Sequence, residues 1–145
     1  MAVTCKWYGS AILKAFNKEI DAGSDTIKVM LTTSTYVPNQ DTDDYQNDVT
    51  NEVAGAGYAA GGGTLVNCNV TFDAATNEVR FVADDLVWAA STITARNAVI
   101  YDSTPGVAAS NPLIIYIDFG ADVTSTADNF TLDFASGIVA KLTLD

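Results

Sequence analysis

The chain contains no histidine. That absence removes the commonest general base and metal ligand at neutral pH. It also excludes Ser-His-Asp and Cys-His nucleophile arrangements. Cysteine is scarce: only Cys5 and Cys68 occur, far apart in sequence. Free, reduced thiols are the expectation for a protein assembled in the cytosol, with a disulfide between them as the alternative. Positive charge is scarce too. Seven Lys and Arg are scattered along the chain, whereas nucleic-acid binding needs them clustered to displace counterions; no nucleic-acid partner is expected. No stretch approaches the ~20 apolar residues of a membrane span. The start, Met1-Ala2-Val3-Thr4-Cys5-Lys6, lacks a basic region followed by an apolar run, so export by the common route is not expected. The expectation is no membrane partner, since the acidity repels an anionic surface.

What is present reads as a β protein. A chain of 145 residues suits one domain with one core. Its apolar fraction of 48% sets it apart from disordered segments. Charged residues make up 17%, below the usual quarter, and the polar remainder is mostly Thr, Asn, Ser, Gly and Asp. That mixture favours strands and turns over exposed helices. The net charge is -11, from 18 acids against 7 bases. The acids are mostly Asp, with Glu only at 19, 52 and 78, which places the charge at loop tips. Such acidity confers solubility and suits a surface facing outward.

Residues 1–10 read as an N-terminal arm carrying Trp7 and Tyr8, with 11–145 as a single domain. Ile12, Phe16 and Ile20 fall at helical spacing, and a short helix is expected over 11–20. From Thr26 the pattern is β. Ile27, Val29 and Leu31 alternate with Thr26, Lys28 and Met30. Tyr45, Val49 and Val53 share a helical face behind Asp41, Asp43 and Asp44, which predicts a second short helix. Val66, Cys68, Val70 and Phe72 alternate, turn at 73–77 and return at Val79 and Phe81, a hairpin signature. Residues 92–101 are apolar on both sides, as in a central or covered strand. Residues 102–112 form a loop. Alternation resumes at Leu113–Phe119 and again at Phe130–Phe134, and the latter with 138–144 predicts a closing hairpin. Seven or eight strands with turn signals every ten or so residues predict a mainly β fold. The expected form is a two-sheet antiparallel β-sandwich or jelly roll with one or two short helices.

The chemistry-bearing groups have bland readings beside the sharper ones. Gly61-Gly62-Gly63-Thr64 lacks the Lys-Ser/Thr ending of a phosphate loop and reads as a glycine-rich turn. The acids Asp84-Asp85, Asp43-Asp44 and Asp48 with Glu52 could form a carboxylate pair for glycoside hydrolysis, but adjacent loop acids are usually solvated. Asp41, Asp43, Asp44 and Asp48 could offer hard oxygens to calcium. Their spacing is not that of an EF-hand loop, and helix capping is the simpler account. Arg96 sits in an apolar strand and needs an acidic partner. Trp88 reads as core. Trp7 and Tyr8 read as interface aromatics or as residues docked on the chain's own sandwich. Tyr36, Tyr45 and Tyr58 are either core or glycan-facing aromatics. No catalytic residue, cofactor or metal ligand is assigned.

Several stretches resemble a group of small structural proteins of tailed phages. They are Asp25-Thr26-Ile27-Lys28-Val29-Met30-Leu31 with Tyr36-Val37-Pro38; Asp48-Val49-Thr50-Asn51-Glu52-Val53 running into Gly57-Tyr58-Ala59-Ala60-Gly61-Gly62; Trp88 with Ser91-Thr92-Ile93-Thr94-Ala95-Arg96; and Asn97-Ala98-Val99-Ile100-Tyr101 followed by Pro112-Leu113-Ile114 and Ile117-Asp118-Phe119-Gly120. Their order and spacing cover about residues 25 to 140. The resemblance implies a virion component, a head decoration (cement) protein or a related head or tail accessory, and carries over no catalytic residue.

The resulting expectation is a non-enzymatic capsid decoration protein, made in the host cytoplasm and located on the virion head. Its partners would be the major capsid protein or other virion proteins. It would act as a homo-oligomer, such as a trimer about local symmetry axes. The candidate contact residues are Trp7 and Tyr8, then Pro105, Val107 and Asn111 in the 102–112 loop. The alternative is a tail or fibre protein, structural or binding host-surface glycans.

Overall fold

The computed structural model describes residues 2–145. In chain order the elements are β1 (Thr4–Trp7), α1 (Gly9–Phe16), β2 (Ile27–Thr32), β3 (Gly63–Thr64), β4 (Asn69–Asp73), β5 (Glu78–Val82), β6 (Leu86–Asp102), β7 (Leu113–Leu132) and β8 (Ile138–Thr143). Single turns of 3-10 helix lie at Gln46–Asp48 and Ala135–Gly137. Two antiparallel sheets result, one ordered β1-β7-β6-β2-β3 and the other β4-β5-β8. The chain is mainly β, with the two-sheet sandwich arrangement that the strand pattern predicts.

Alternation decides what each face of the larger sheet covers. Ile27, Val29 and Leu31 of β2, Ala98 and Ile100 of β6 and Ile115 and Ile117 of β7 pack in one core with Phe81 of β5 and Val139 and Ala140 of β8. Met30, Val99, Tyr101, Leu113 and Tyr116 point the other way and pack with Tyr8 and Ala11 at the start of α1, and with Tyr36. The centre of this sheet is therefore covered on both faces, as the two-sided apolar run at 92–101 predicts for its second half.

Several elements differ from the sequence expectation. Within the arm expected over 1–10, residues 4–8 are held against the rest of the chain. Thr4–Trp7 pairs with β7 from Thr4↔Asp118 to Trp7↔Ile115, and backbone pairing plus the burial of Tyr8 draws the segment into the domain. The helix begins at Gly9 and stops at Phe16, where Asn17 and the left-handed Lys18 (φ 63°) end it. Its buried face carries Ala11 and Lys14, while Phe16 is 83% exposed. The second helix expected near Tyr45 is only the single turn Gln46–Asp48. The segments at 113–119 and 130–134 belong to one 20-residue strand. The closing hairpin does not form: β7 pairs with β6, and β8 crosses to pair with β5.

β6 and β7 run together from Tyr101↔Leu113 to Leu86↔Leu132, well beyond the reach of β1 and β2. Register shifts flank Ser91, and Ala90 (φ 50°) and Ala127 (φ 48°) take left-handed conformations there. Bulges bend a strand and strengthen its local twist. Here they lie under the segment 55–57, where Ala56 bridges to Thr92. A Cβ on Gly55 would sit 2.2 Å from the Thr92 carbonyl oxygen, and one on Gly57 2.7 Å from Ser91 Cα. Only glycine lets the backbone approach this closely.

Candidate functional site

The five residues proposed from sequence as contacts separate into three environments. Tyr8 is fully buried, its hydroxyl 3.0 Å from that of Tyr36 and its ring 5.1 Å from Tyr116. It is not an interface residue, because a buried tyrosine needs a partner for its hydroxyl and finds one inside the chain. Trp7 is half-buried and donates its indole Nε1–H to the Lys141 carbonyl at 3.2 Å. It borders a groove of about 400 Å³ with Cys5, Ala135, Ile138, Val139 and Ala140. Tyr8 is thus docked inside the chain, while Trp7 is docked in part and keeps one side at the groove.

Asn111 is also buried, at 5% exposure. Its side-chain nitrogen donates to Gln46 Oε1 at 2.7 Å, and its carbonyl accepts from Gln46 N–H at 2.9 Å. It anchors the loop and offers nothing outward. Pro105 and Val107 are the two members of the set that face solvent, Val107 at 61% exposure.

The loop that presents them is braced. Ser103 donates both its N–H and its hydroxyl to the Thr26 carbonyl. Thr104 Oγ1 accepts from the Thr26 N–H at 2.8 Å, and Asp102 Oδ1 accepts from the Thr104 N–H at 2.8 Å. Asn47 N–H reaches the Ala108 carbonyl, and Ser110 N–H the Val107 carbonyl. Beneath it, Lys14 donates to the Asp44 carbonyl at 2.6 Å and lies 3.5 Å from the centre of the Tyr45 ring. Burial lowers the pKa of this lysine, opposed by Asp44. The result is an exposed tip on a fixed base, the arrangement that lets a loop bind without first being ordered.

The acidic groups are occupied by local structure. Asp48 Oδ2 accepts the N–H groups of Asp44 and Tyr45, at 2.9 and 3.2 Å, and these backbone bonds lower its pKa. Asp43 Oδ2 accepts the Tyr36 hydroxyl and the Asn39 N–H. Asp84 accepts from Asn67 and Asp85 from the Phe134 N–H, both at 2.7 Å. The capping account describes Asp48, which closes the turn Gln46–Asp48; Asp43 instead ties Tyr36 to the loop at Asn39. Arg96 pairs with Asp118 at 2.7 Å within the chain. Cys5 and Cys68 are both free.

The tyrosines considered for glycan contact are mostly committed elsewhere. Tyr36 is buried. Tyr58 stacks on Trp88 at 6.0 Å, donates to Glu52 Oε1 and accepts from the Leu31 N–H. Tyr36 nevertheless borders a cavity of about 240 Å³ with Val37, Pro38 and Arg96, and Tyr45 lines one of about 350 Å³ with Glu19, Pro105, Ala109, Ser110 and Pro112. The glycine run at 61–63 is pressed onto β2: a Cβ on Gly62 would lie 1.7 Å from the Val29 carbonyl oxygen.

Sequence reasoning missed a second surface. Val66, Val70 and Phe72 are 55%, 51% and 58% exposed. Register places Phe72 beside Val79 and Leu142, and Val70 beside Phe81 and Ala140, on one face of the smaller sheet. That face is core at Phe81 and Ala140 and uncovered at Val70 and Phe72. Alternation identifies an apolar face but does not say how far the opposing sheet extends over it. Comparison with protein-family models, with curated proteins and with solved structures finds no match to this chain.

Proposed function

We propose that the chain is a non-enzymatic structural protein of a tailed-phage particle and that it coats the assembled head. The observation that carries this reading is its exposed apolar surface. Large apolar side chains stand in solvent at Phe16 on α1, Val37 in the turn after β2, Val70 and Phe72 on β4 and Val107 in the loop. Neighbouring exposed apolar groups, such as Val70 and Phe72 on one face of β4, suit contact with another protein. The sequence stretches that resemble tailed-phage structural proteins supply the kind of neighbour. In the fold they become β2, most of β6, the first part of β7 and the glycine segment laid over them.

In this reading the loop tip at Pro105 and Val107 meets capsid protein. The net charge of -11 favours solubility of the chain before assembly. Binding only to the assembled shell would stabilise it by mass action, with modest affinity per copy. The test is co-sedimentation of purified protein with isolated heads and with isolated tails. Saturable binding to heads is expected. Binding to tails alone would replace this reading with the tail or fibre alternative, for which the cavity beside Tyr45 would be the first place to test glycan binding.

A further inference from the structure

We infer that β4 is a pairing edge for a second copy of this chain, joining two smaller sheets into one six-stranded sheet across a twofold axis. β4 is hydrogen-bonded on one side only, to β5. Natural edge strands are usually protected by a lysine, a proline or a bulge. β4 has none of these. It reads Asn69-Val70-Thr71-Phe72-Asp73 and keeps an unbroken register with β5 from Asn69↔Val82 to Asp73↔Glu78. Asn69 Oδ1 accepts the Val70 N–H at 2.8 Å and would have to release it; the other outward N–H and C=O groups form a template for another strand.

Charge favours a second copy at this place over others. With a net charge of -11, two copies repel wherever acids meet. The one acid of β4, Asp73, is paired with Arg80 at 2.7 Å, so the edge itself presents almost no uncompensated charge. Antiparallel pairing centred on Thr71 would set Val70 of one copy opposite Phe72 of the other, an aliphatic–aromatic pair on the uncovered face.

The apolar side chains that this pairing would cover are Phe72 and Val70, 58% and 51% exposed. An aromatic side chain offers roughly 200 Å², so with the newly paired strand edges the contact is a small one, at the low end of specific interfaces. Beside it, Asn69 and Val70 line a groove with the end of α1 and the turn after it, where Lys18 and Asp21 place one charge of each sign. The contact is isologous, so it closes at two copies and does not itself build the trimer anticipated from sequence. It does not depend on the virion reading.

Sedimentation velocity over a range of concentrations tests the pairing, with Phe72→Lys, Val70→Lys and Val107→Lys beside the parent chain. All three positions are solvent-exposed, and circular dichroism with thermal unfolding verifies that each variant is folded. The parent chain and Val107→Lys are expected to sediment as dimers at micromolar concentration. Phe72→Lys and Val70→Lys are expected to sediment as monomers, with dissociation constants raised at least tenfold. A parent chain that stays monomeric throughout, or a dimer that both β4 variants leave intact, would overturn the inference.

Discussion

The Trp7 indole N–H donates to the Lys141 carbonyl at 3.2 Å, across the seam where the edge strand of one sheet meets the edge strand of the other. Two residues away on each strand, the Cys5 thiol lies 3.5 Å from the Val139 carbonyl. Alternate carbonyls on the free edge of β8 are thus met by side chains of β1. Removing residues 1–9 would remove this seam, the β1 pairing and buried Tyr8 together. The truncated chain is therefore expected to lose cooperative thermal unfolding. Trp7→Phe keeps most of the packing and drops one hydrogen bond, at a cost of about 1 kcal/mol in chemical denaturation. A truncated chain that unfolds like the parent would show β1 to be dispensable.

The two left-handed alanines provide a test in the stabilising direction. Ala90 and Ala127 carry φ values of 50° and 48°. An L-residue with a Cβ pays about 1 kcal/mol in this region, and glycine does not; glycine's extra freedom in the unfolded chain returns part of that gain. Ala90→Gly and Ala127→Gly should each stabilise by about 0.5 kcal/mol, read as a rise in Tm. The same change in the regular part of β6, at Ala98, should lower it.

Gly62→Ala should do the reverse on a larger scale. The added Cβ would lie 1.7 Å from the Val29 carbonyl oxygen, at a residue with φ of 77°. Backbone on both sides of this contact must move, so the variant is expected to lose several kcal/mol and accumulate as insoluble protein. Gly106→Ala is the control: its φ is 82°, but nothing lies within 4 Å of the new Cβ, so only the conformational strain is expected.

Acid stability should follow Glu78. Lys141 at 2.6 Å and Arg80 at 2.8 Å hold its carboxyl down to about 2, from an ordinary value of 4.5. A depressed carboxylate contributes stability that is present above its unfolded value and is lost as pH falls through its folded one. Tm should therefore fall between about pH 4.5 and about pH 2. Glu78→Gln should flatten that part of the profile and lower Tm at neutral pH. Equal slopes for the two proteins would show that the ion pair does not govern acid unfolding.

How much of this was legible in the sequence depended on distance along the chain. Alternation located β2, the β4–β5 hairpin and the centre of β6, because period-two patterning is local. Arg96 within an apolar strand announced an acidic partner, and Asp118 supplies it at 2.7 Å. β1 was not legible: four residues with an exposed Cys5 and Lys6 carry no strand pattern, and their partner lies more than a hundred residues away. The continuity of β7 was hidden by Gly120 and by the polar run Thr124–Asn129, which is mostly exposed and lies where no third strand covers the ribbon. The pairing of β8 was misjudged because a short turn suggests a hairpin, whereas burial of Val139 and Ala140 against both sheets decides it. Among the candidate contacts, Pro105 and Val107 kept their exposure, while Tyr8 and Asn111 proved to be internal props whose partners no local pattern could reveal.

The loop can be tested apart from the fold. Val107→Asp changes a side chain that is 61% exposed and should leave Tm within about 1 °C of the parent, as surface substitutions usually do. Its binding to isolated heads should weaken at least tenfold. Unchanged binding would remove the loop tip from the contact.

Copy number tests most directly the proposal that this chain coats a phage head. Quantitative mass spectrometry of separated heads and tails should find the protein in the head fraction at a ratio to capsid protein that corresponds to hundreds of copies. A handful of copies travelling with tails, or none in either fraction, would contradict it.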